Sequence, residues 1–416
     1  MSAGVLVVGA NQAGVQLAVS LRHFGYQEPI TLLGAEPHLP YQRPPLSKAF
    51  LSGATELASL AFRTQAFYDQ QGITVVCGER VDEVALSGPA GSGRARTVTG
   101  RTLEFDRLAL TVGARPRRLA VPGSELAGVC YLRRADDAAR LRSELETATT
   151  VVVIGGGFIG LEAAAVARSM GRAVTVVEAA DRLIARSVAP LVSEFYREAH
   201  ERRGSAVHLG AAVTALEGDG GRVRGVRLAD GTRLAADLVL VGVGIVPRTE
   251  LAEQLGLHCD GGIVVDEFAR TSAPSVVAAG DCTASPNPLT GAGRVRLESV
   301  QNAVSQAKVA AATLVGREEP YTDVPWFWSD QFDLKLQIAG LSAGYDDVVV
   351  RGDRAEDRFA VLYYRDRQLI AIDAVNSTAD YLTVRKALAQ KATIPADRAA
   401  DPATPLKTLL TPRVAV

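Results

Sequence analysis

The sequence predicts an α/β protein built from two parallel-sheet domains and a C-terminal α+β domain, and three observations predict it. A unit of strand, glycine-rich turn, helix and strand occurs twice, at 4–36 and at 151–178. The segment FDRLALTVGARPR (105–117) aligns with ADLVLVGVGIVPR (236–248) at a constant offset of 131, so the duplication extends beyond the turns. Past residue 320 the pattern changes: FAVLYYR and QLIAIDAV, within 359–375, read as a β-hairpin, and Ala379 to about Lys391 reads as a helix. At 416 residues the chain is longer than one hydrophobic core supports, which agrees with several domains.

In the first copy GVLVVG (4–9) is the short apolar run of a buried parallel strand, and it leads into GANQAG. VQLAVSLRHFG then carries apolar residues at helical spacing, and ITLLGAE supplies the next strand, closed by Glu36. The second copy is VVVIGGGFIG, LEAAAVARSMG and AVTVVE, closed by Glu178. Gly155, Gly157 and Gly160 stand there in full G-x-G-x-x-G register, whereas in the first copy Asn11 takes the middle position between Gly9 and Gly14. The chemistry behind such a turn is close approach: a pyrophosphate sits on a helix N-terminus only where no side chain intervenes. The terminal acid then accepts hydrogen bonds from a ribose hydroxyl. Glu178 lies 23 residues after Gly155 and would repel a 2′-phosphate, which selects NADH over NADPH, with Arg182 nearby as the opposing signal. A third segment, TSAPSVVAAGDC (271–282), is a short strand ending in Gly280-Asp281. Asp281 is placed either to take a hydroxyl of the ribityl chain of FAD or to cap a helix.

Composition narrows the partners. The 45 basic and 46 acidic residues balance, giving no electrostatic reason to expect nucleic acid or an anionic membrane. No basic segment followed by an apolar run opens the chain, and no apolar stretch reaches the roughly 18 residues of a span, so a cytoplasmic protein is expected. The cysteines at 77, 130, 259 and 282 form no C-x-x-C pair and no metal-ligand spacing, and all four read as buried thiols. SGPAGSGR (87–94) reads as a hairpin tip without chemistry.

Several segments together resemble the FAD-dependent, NADH-using ferredoxin and rubredoxin reductases of bacterial oxygenase systems, the putidaredoxin reductase-like family. They are PYQRPPLSKAFL (40–51), TVGARPR (111–117), GGGFIGLEAA (155–164), VGVGIVPR (241–248), AAGDC (278–282), RLESVQNAVSQAK (296–308) and PWFWSDQFDLKLQIAGL (325–341). The resemblance covers nearly the whole chain. It implies two Rossmann-like dinucleotide-binding domains, glutathione-reductase-like, plus a C-terminal α+β domain. FAD would occupy a discontinuous domain of 1–113 and 243–320, NADH the domain 114–242, and residues 321–416 would form the third. FAD binding is expected at Gly9, Ala13, Gly14, Glu36, Arg43, Lys48, Arg115, Asp281 and Val300, and NADH binding at Gly155, Gly157, Ile159, Gly160 and Glu178.

Disulfide reductases of this fold carry a cysteine pair against the flavin; here Pro44, Pro45, Ser47 and Lys48 fill that stretch, so no dithiol relay operates. By the resemblance Pro45 lies on the isoalloxazine and Lys48 near its N5 and O4 edge, where its charge favours reduced flavin. Arg43 belongs near the FAD phosphates. The helix opening at Glu298-Ser299-Val300 points its N-terminus at the pyrimidine edge. Glu162 reaches the nicotinamide or the lysine, and Trp328 stands beside the flavin. The implied activity is hydride transfer from NADH to FAD and single-electron delivery to a small acidic [2Fe-2S] ferredoxin, alternatively a rubredoxin, serving a monooxygenase or dioxygenase. Lys308, Arg294, Arg296 and Lys335 are docking candidates. An NADH oxidase or peroxidase of this fold would want a reactive cysteine absent from 40–50. An NADH-sensing flavoprotein resembling apoptosis-inducing factor is the non-enzymatic alternative.

Overall fold

The computed structural model describes residues 2–87 and 91–412; residues 88–90, part of the expected hairpin tip, lie outside them. Two compact units emerge. The first comprises 1–42, 57–115 and 246–325, and the second 43–56, 116–245 and 326–416. Among the described residues no helix is long and apolar enough to cross a membrane.

The first unit is organised by a five-stranded parallel sheet in the order Val276–Ala278, Arg107–Leu110, Val5–Val8, Ile30–Leu33, Ile73–Val76. Val5–Val8 is central and buried on both sides, which is why it reads as an unbroken apolar run. The helices Gln12–His23 and Val300–Leu314 cover one face. Ala303, Ala307, Ala310 and Ala311 line the contact on the second helix and let it pack closely against Leu17, Ala18 and Leu21 of the first. A three-stranded antiparallel sheet (81–86, 93–97, 102–105) covers the other face, with Val84, Ala95 and Phe105 packed on Leu6, Val8 and Leu108.

The second unit repeats that arrangement. Its parallel sheet runs Ala206–His208, Ala173–Val177, Thr150–Ile154, Leu238–Val241, Val129–Tyr131. Helices Ala135–Thr147, Phe158–Ser169 and Pro190–Arg202 contribute to the core on one side, and a three-stranded antiparallel sheet lies on the other. The duplicated aspartates have one job in both copies. Asp106 Oδ2 accepts from the Gly4 amide (2.9 Å) and the Ser2 hydroxyl (2.7 Å). Asp237 Oδ2 accepts from the Thr149 hydroxyl (2.5 Å) and the Thr149 and Thr150 amides (3.1 Å each). Each carboxylate thus ties the last strand of its repeat to the start of the first, and these hydrogen bonds, the hydroxyl's foremost, hold both below the usual carboxylate range.

The expected C-terminal hairpin is present as Arg358–Arg365 and Gln368–Val375, followed by the helix Thr378–Ala389. They belong to an antiparallel sheet in the order Trp326–Gln331, Leu334–Gly340, Gln368–Val375, Arg358–Arg365, Asp347–Asp353. Leu334, Leu336, Phe359, Val361 and Tyr363 share one apolar cluster with Phe195, Tyr196 and Ala199 of the helix Pro190–Arg202, so the C-terminal sheet and the second nucleotide fold form one body. Asp373 is buried there. Its Oδ2 accepts from the Tyr363 hydroxyl, which itself accepts the Ala189 amide (3.1 Å), and burial pushes the carboxyl up to about 7. The fold therefore binds a proton that the unfolded chain releases near pH 4, and this contribution to stability is present below that pH and lost as pH rises through about 7. Asp373→Asn is expected to gain on the wild type between pH 5 and 7 by up to about 1.4 kcal/mol per pH unit. Parallel thermal melts across that range check it; a constant gap would contradict it.

Candidate active site

In each repeat the glycines are dictated by backbone crowding. Gly9 and Gly155 have φ of +117° and +107°, and a Cβ there would lie 2.2 Å from the Thr111 carbonyl oxygen and 2.5 Å from that of Gly242. A Cβ on Gly14 or Gly160 would lie 2.1 or 2.3 Å from the carbonyl oxygen of Gly9 or Gly155, so helix and strand touch through them. Gly157 differs: it is the N-cap of Phe158–Ser169, and nothing lies within 4 Å of a Cβ built on it. Open space over a helix N-terminus, bounded by two glycines needed for packing, fits a pyrophosphate. In the first unit Asn11 is the N-cap of Gln12–His23, extended (φ −122°, ψ −164°), and its side chain does not cap the helix. Ala13 is buried beside it, and a Cβ on Gly280 would meet the Ala13 methyl at 3.3 Å.

The terminal acids are both partly buried. Glu178 Oε2 accepts from the Gly156 amide (2.7 Å) and Oε1 from the Ala180 amide (2.8 Å), which holds the carboxylate beside the turn. Glu36 accepts from the Tyr41 hydroxyl (2.5 Å). Arg182 is committed elsewhere: its guanidinium donates to the carbonyls of Ala185 (2.5 Å) and Val188 (2.8 Å) and to Ser193 Oγ (2.9 Å). Ile159, on the first turn after Gly157, is 45% exposed, unusual for an isoleucine.

The segment expected to stand where disulfide reductases carry a cysteine pair is a 3-10 helix, Pro44–Ser47. Prolines suit its first two positions because φ is preset and no amide proton is needed there. Arg43 precedes it and donates to the Arg133 carbonyl (2.5 Å); Lys48 ends it, its amide bonding the Pro45 carbonyl (3.0 Å). This turn brings Ser47 and Lys48 onto Glu162, one turn into Phe158–Ser169. Glu162 Oε2 lies 2.6 Å from Lys48 Nζ and accepts from Ser47 Oγ (2.5 Å), while Oε1 accepts from Ser329 Oγ (2.7 Å). Glu162 is 2% exposed, and a carboxylate that deep persists because a cation and two hydroxyls replace its water. Of the two expected partners, nicotinamide or lysine, the side chain reaches the lysine.

Ser329 comes from the strand Trp326–Gln331, whose alternation sorts two faces. Phe327 meets Phe158 (4.6 Å between centroids), Ser329 meets Glu162, and Gln331 meets His200. On the other face Trp328 is half-buried, 5.7 Å from Trp326, over which Arg385 is stacked. Ser329, Gln331 and His200 are absent from the sequence prediction; polar residues at alternate positions among aromatics in WFWSDQ were the available signal.

The remaining predicted residues are placed as follows. Val300 opens its helix behind the N-cap Ser299, whose hydroxyl accepts from the Asn302 amide (3.0 Å). Asp281 follows Val276–Ala278 and is partly buried, and Arg115 lies 3.6 Å from Glu250. Arg294, Lys308 and Lys335 are exposed; Arg296 is paired with Glu298 at 2.8 Å, which neutralises it as a docking charge. The expectation of four buried cysteines needs correction: Cys130 and Cys282 are buried, but Cys77, just past the strand Ile73–Val76, and Cys259, between the helix Glu250–Gln254 and the strand Ile263–Val264, lie in connecting segments at the edge of the core and are only partly so. All four are free, and burial pushes every one of these thiols up, so none is a ready thiolate.

Two glycine-cradled nucleotide folds, a lysine held on a buried glutamate and an antiparallel C-terminal sheet define a two-nucleotide oxidoreductase. Comparison with known proteins agrees. Residues 3–307 match the pyridine nucleotide-disulphide oxidoreductase family, to which this chain belongs, and residues 326–410 match the reductase C-terminal domain. The chain is similar to rhodocoxin reductase of Rhodococcus erythropolis, 44% identical over 95% of this chain and 92% of that one. A ferredoxin–NAD(P)+ reductase of Sphingomonas sp. is 42% identical over 98% of both chains. Among solved structures, the ferredoxin reductase for the CYP199A2 system of Rhodopseudomonas palustris superposes with a TM-score of 0.94 at 43% identity, covering 98% of this chain and all of that one.

Proposed function

We propose that this chain is an FAD-dependent NADH:ferredoxin reductase, working in the cytoplasm and supplying electrons to a [2Fe-2S] ferredoxin, or a rubredoxin, that serves a monooxygenase or dioxygenase. The observation that carries the reading is the Lys48–Glu162 pair, its carboxylate buried, in a cysteine-free stretch of a chain similar over nearly its whole length to ferredoxin reductases. Residues 1–113 and 243–320 would bind FAD through Gly9, Ala13, Gly14, Glu36, Arg115, Asp281 and Val300, with Arg43, Pro45 and Lys48 completing the site. Residues 114–242 would bind NADH through Gly155, Gly157, Ile159, Gly160 and Glu178, with 321–416 as the third domain. Bound FAD supplies the ability to accept a hydride and release electrons one at a time. The chain supplies the rest. Glycines admit the phosphates to two helix N-termini, Glu178 takes the adenosine ribose, and Glu162 fixes the Lys48 ammonium so that its charge is preorganised. Trp328 would shape nicotinamide entry or the partner's docking face, and Arg294, Lys308 and Lys335 would be the docking charges.

Anaerobic titration with NADH, followed by a [2Fe-2S] ferredoxin and cytochrome c, tests this. Bleaching of a flavin spectrum and ferredoxin-dependent cytochrome reduction are expected; bleaching without onward transfer, or no flavin spectrum, would overturn it. Glu178→Ala should raise KM for NADH about tenfold and narrow the preference over NADPH, since the ribose acceptor is lost and Arg182 stays bound to its own loop. Steady-state kinetics with both nucleotides decide it.

A further inference from the structure

We propose that Gln331 and His200 are positioning residues that hold the Glu162 carboxylate on Lys48 through a chain of hydrogen bonds running in one direction. The inference rests on the reading of Lys48 and Glu162 as part of the flavin site. Its direction follows from donor chemistry. An ionised carboxylate only accepts, so the Ser329 hydroxyl spends its proton on Glu162 Oε1 at 2.7 Å. Ser329 Oγ is then available only as an acceptor, and it takes an N–H of the Gln331 amide at 3.2 Å. That sets the amide orientation and leaves Gln331 Oε1 facing His200 Nε2 at 3.0 Å, so the imidazole must carry its proton on Nε2. His200 Nδ1 finds no hydrogen-bond partner among the described residues, which leaves it a bare acceptor and agrees with a proton on Nε2, and burial pushes the ring below the ordinary imidazole value.

Glu162 is 2% exposed, and Ser329, Gln331 and His200 are wholly buried, so no water competes with any link. Hydrogen bonds aligned in one sense in a dry interior polarise one another toward their acceptor, here Glu162. His200 is anchored in turn: its ring lies 5.1 Å from that of Phe332, and Arg203 beside it is paired with Asp333 and Asp357. The chain thus begins on the helix Pro190–Arg202 and ends at Lys48. Had Gln331 served only to join strand and helix, either orientation of its amide would do and Glu162 would not register a change at His200.

Two measurements on the full chain test this. In stopped-flow reduction of the FAD-loaded protein by NADH, Gln331→Met should lower the limiting rate about tenfold and His200→Phe about threefold, with the apparent Kd for NADH within about twofold of wild type. His200→Gln, which restores an N–H donor, should recover most of the rate. Folded variants with an unchanged rate, or a change confined to Kd, would overturn the proposal. Nitrogen-15 NMR of imidazole-labelled protein, with His200 assigned from His200→Gln, should show the neutral Nε2–H tautomer at neutral pH and a shifted Nε2 resonance in Glu162→Gln. An Nδ1–H tautomer, or no response to Glu162→Gln, would overturn it. The NMR result does not need flavin, so failure to bind FAD would sink the functional reading alone.

Discussion

Lys48→Met is expected to slow NADH-driven flavin reduction about a hundredfold, the effect of removing one charge preorganised by a buried carboxylate, with KM for NADH within about twofold. It is also expected to cost about 2–3 kcal/mol of stability, because Glu162 at 2% exposure loses its counter-ion and keeps only the Ser47 and Ser329 hydroxyls. Lys48→Met combined with Glu162→Gln should recover most of the stability and none of the rate, since the amide has no charge to neutralise. Chemical denaturation and stopped-flow reduction of both variants separate the effects. A single variant as stable as wild type would show that the pair carries no buried-charge penalty, and an unchanged rate would remove Lys48 from the mechanism.

The second large effect belongs to the glycine turn of the second unit, where two substitutions should behave oppositely. Gly160→Val puts a Cβ 2.3 Å from the Gly155 carbonyl oxygen and 3.3 Å from a Val153 methyl, so Phe158–Ser169 must lift from the sheet. A cost of about 3 kcal/mol is expected, with NADH binding weakened more than tenfold. Gly157→Ala meets nothing within 4 Å and needs no positive φ. It should stay within about 1 kcal/mol of wild type while raising KM for NADH about tenfold, because its methyl would enter the open space proposed for the phosphates. Thermal melts paired with NADH titration check both; a destabilised Gly157→Ala with normal NADH affinity would assign that glycine to packing.

Much of this was legible in the sequence because it depends on neighbours along the chain. The strand at 5–8, the turn at 9–14 and the helix after it are each dictated within a few residues, and the second copy confirmed the pattern. The hairpin of 359–375 and the helix from residue 378 were legible for the same reason, through alternation and then helical spacing. The offset of 131 also pointed to Asp106 and Asp237 as equivalent, though their shared task became visible only with their amide partners. Cys77 and Cys259 show the limit: hydrophobicity gives a tendency toward burial, whereas exposure is set by how deep the surrounding loop sits.

The sequence by itself determined two nucleotide folds and a stretch around Ser47 and Lys48 that holds no cysteine, since glycine spacing, period and the identity of a side chain are local properties. Tertiary structure decided what Glu162 is. Its partners Ser47 and Ser329 lie 115 and 167 residues away in the chain, and only the packing of the 3-10 turn, the helix and the C-terminal strand around one desolvated carboxylate converts three unremarkable polar residues into a charged site. Burial raises the cost of every unpaired polar atom, so the partners that meet there must match, and no periodicity along the chain records which surfaces will meet.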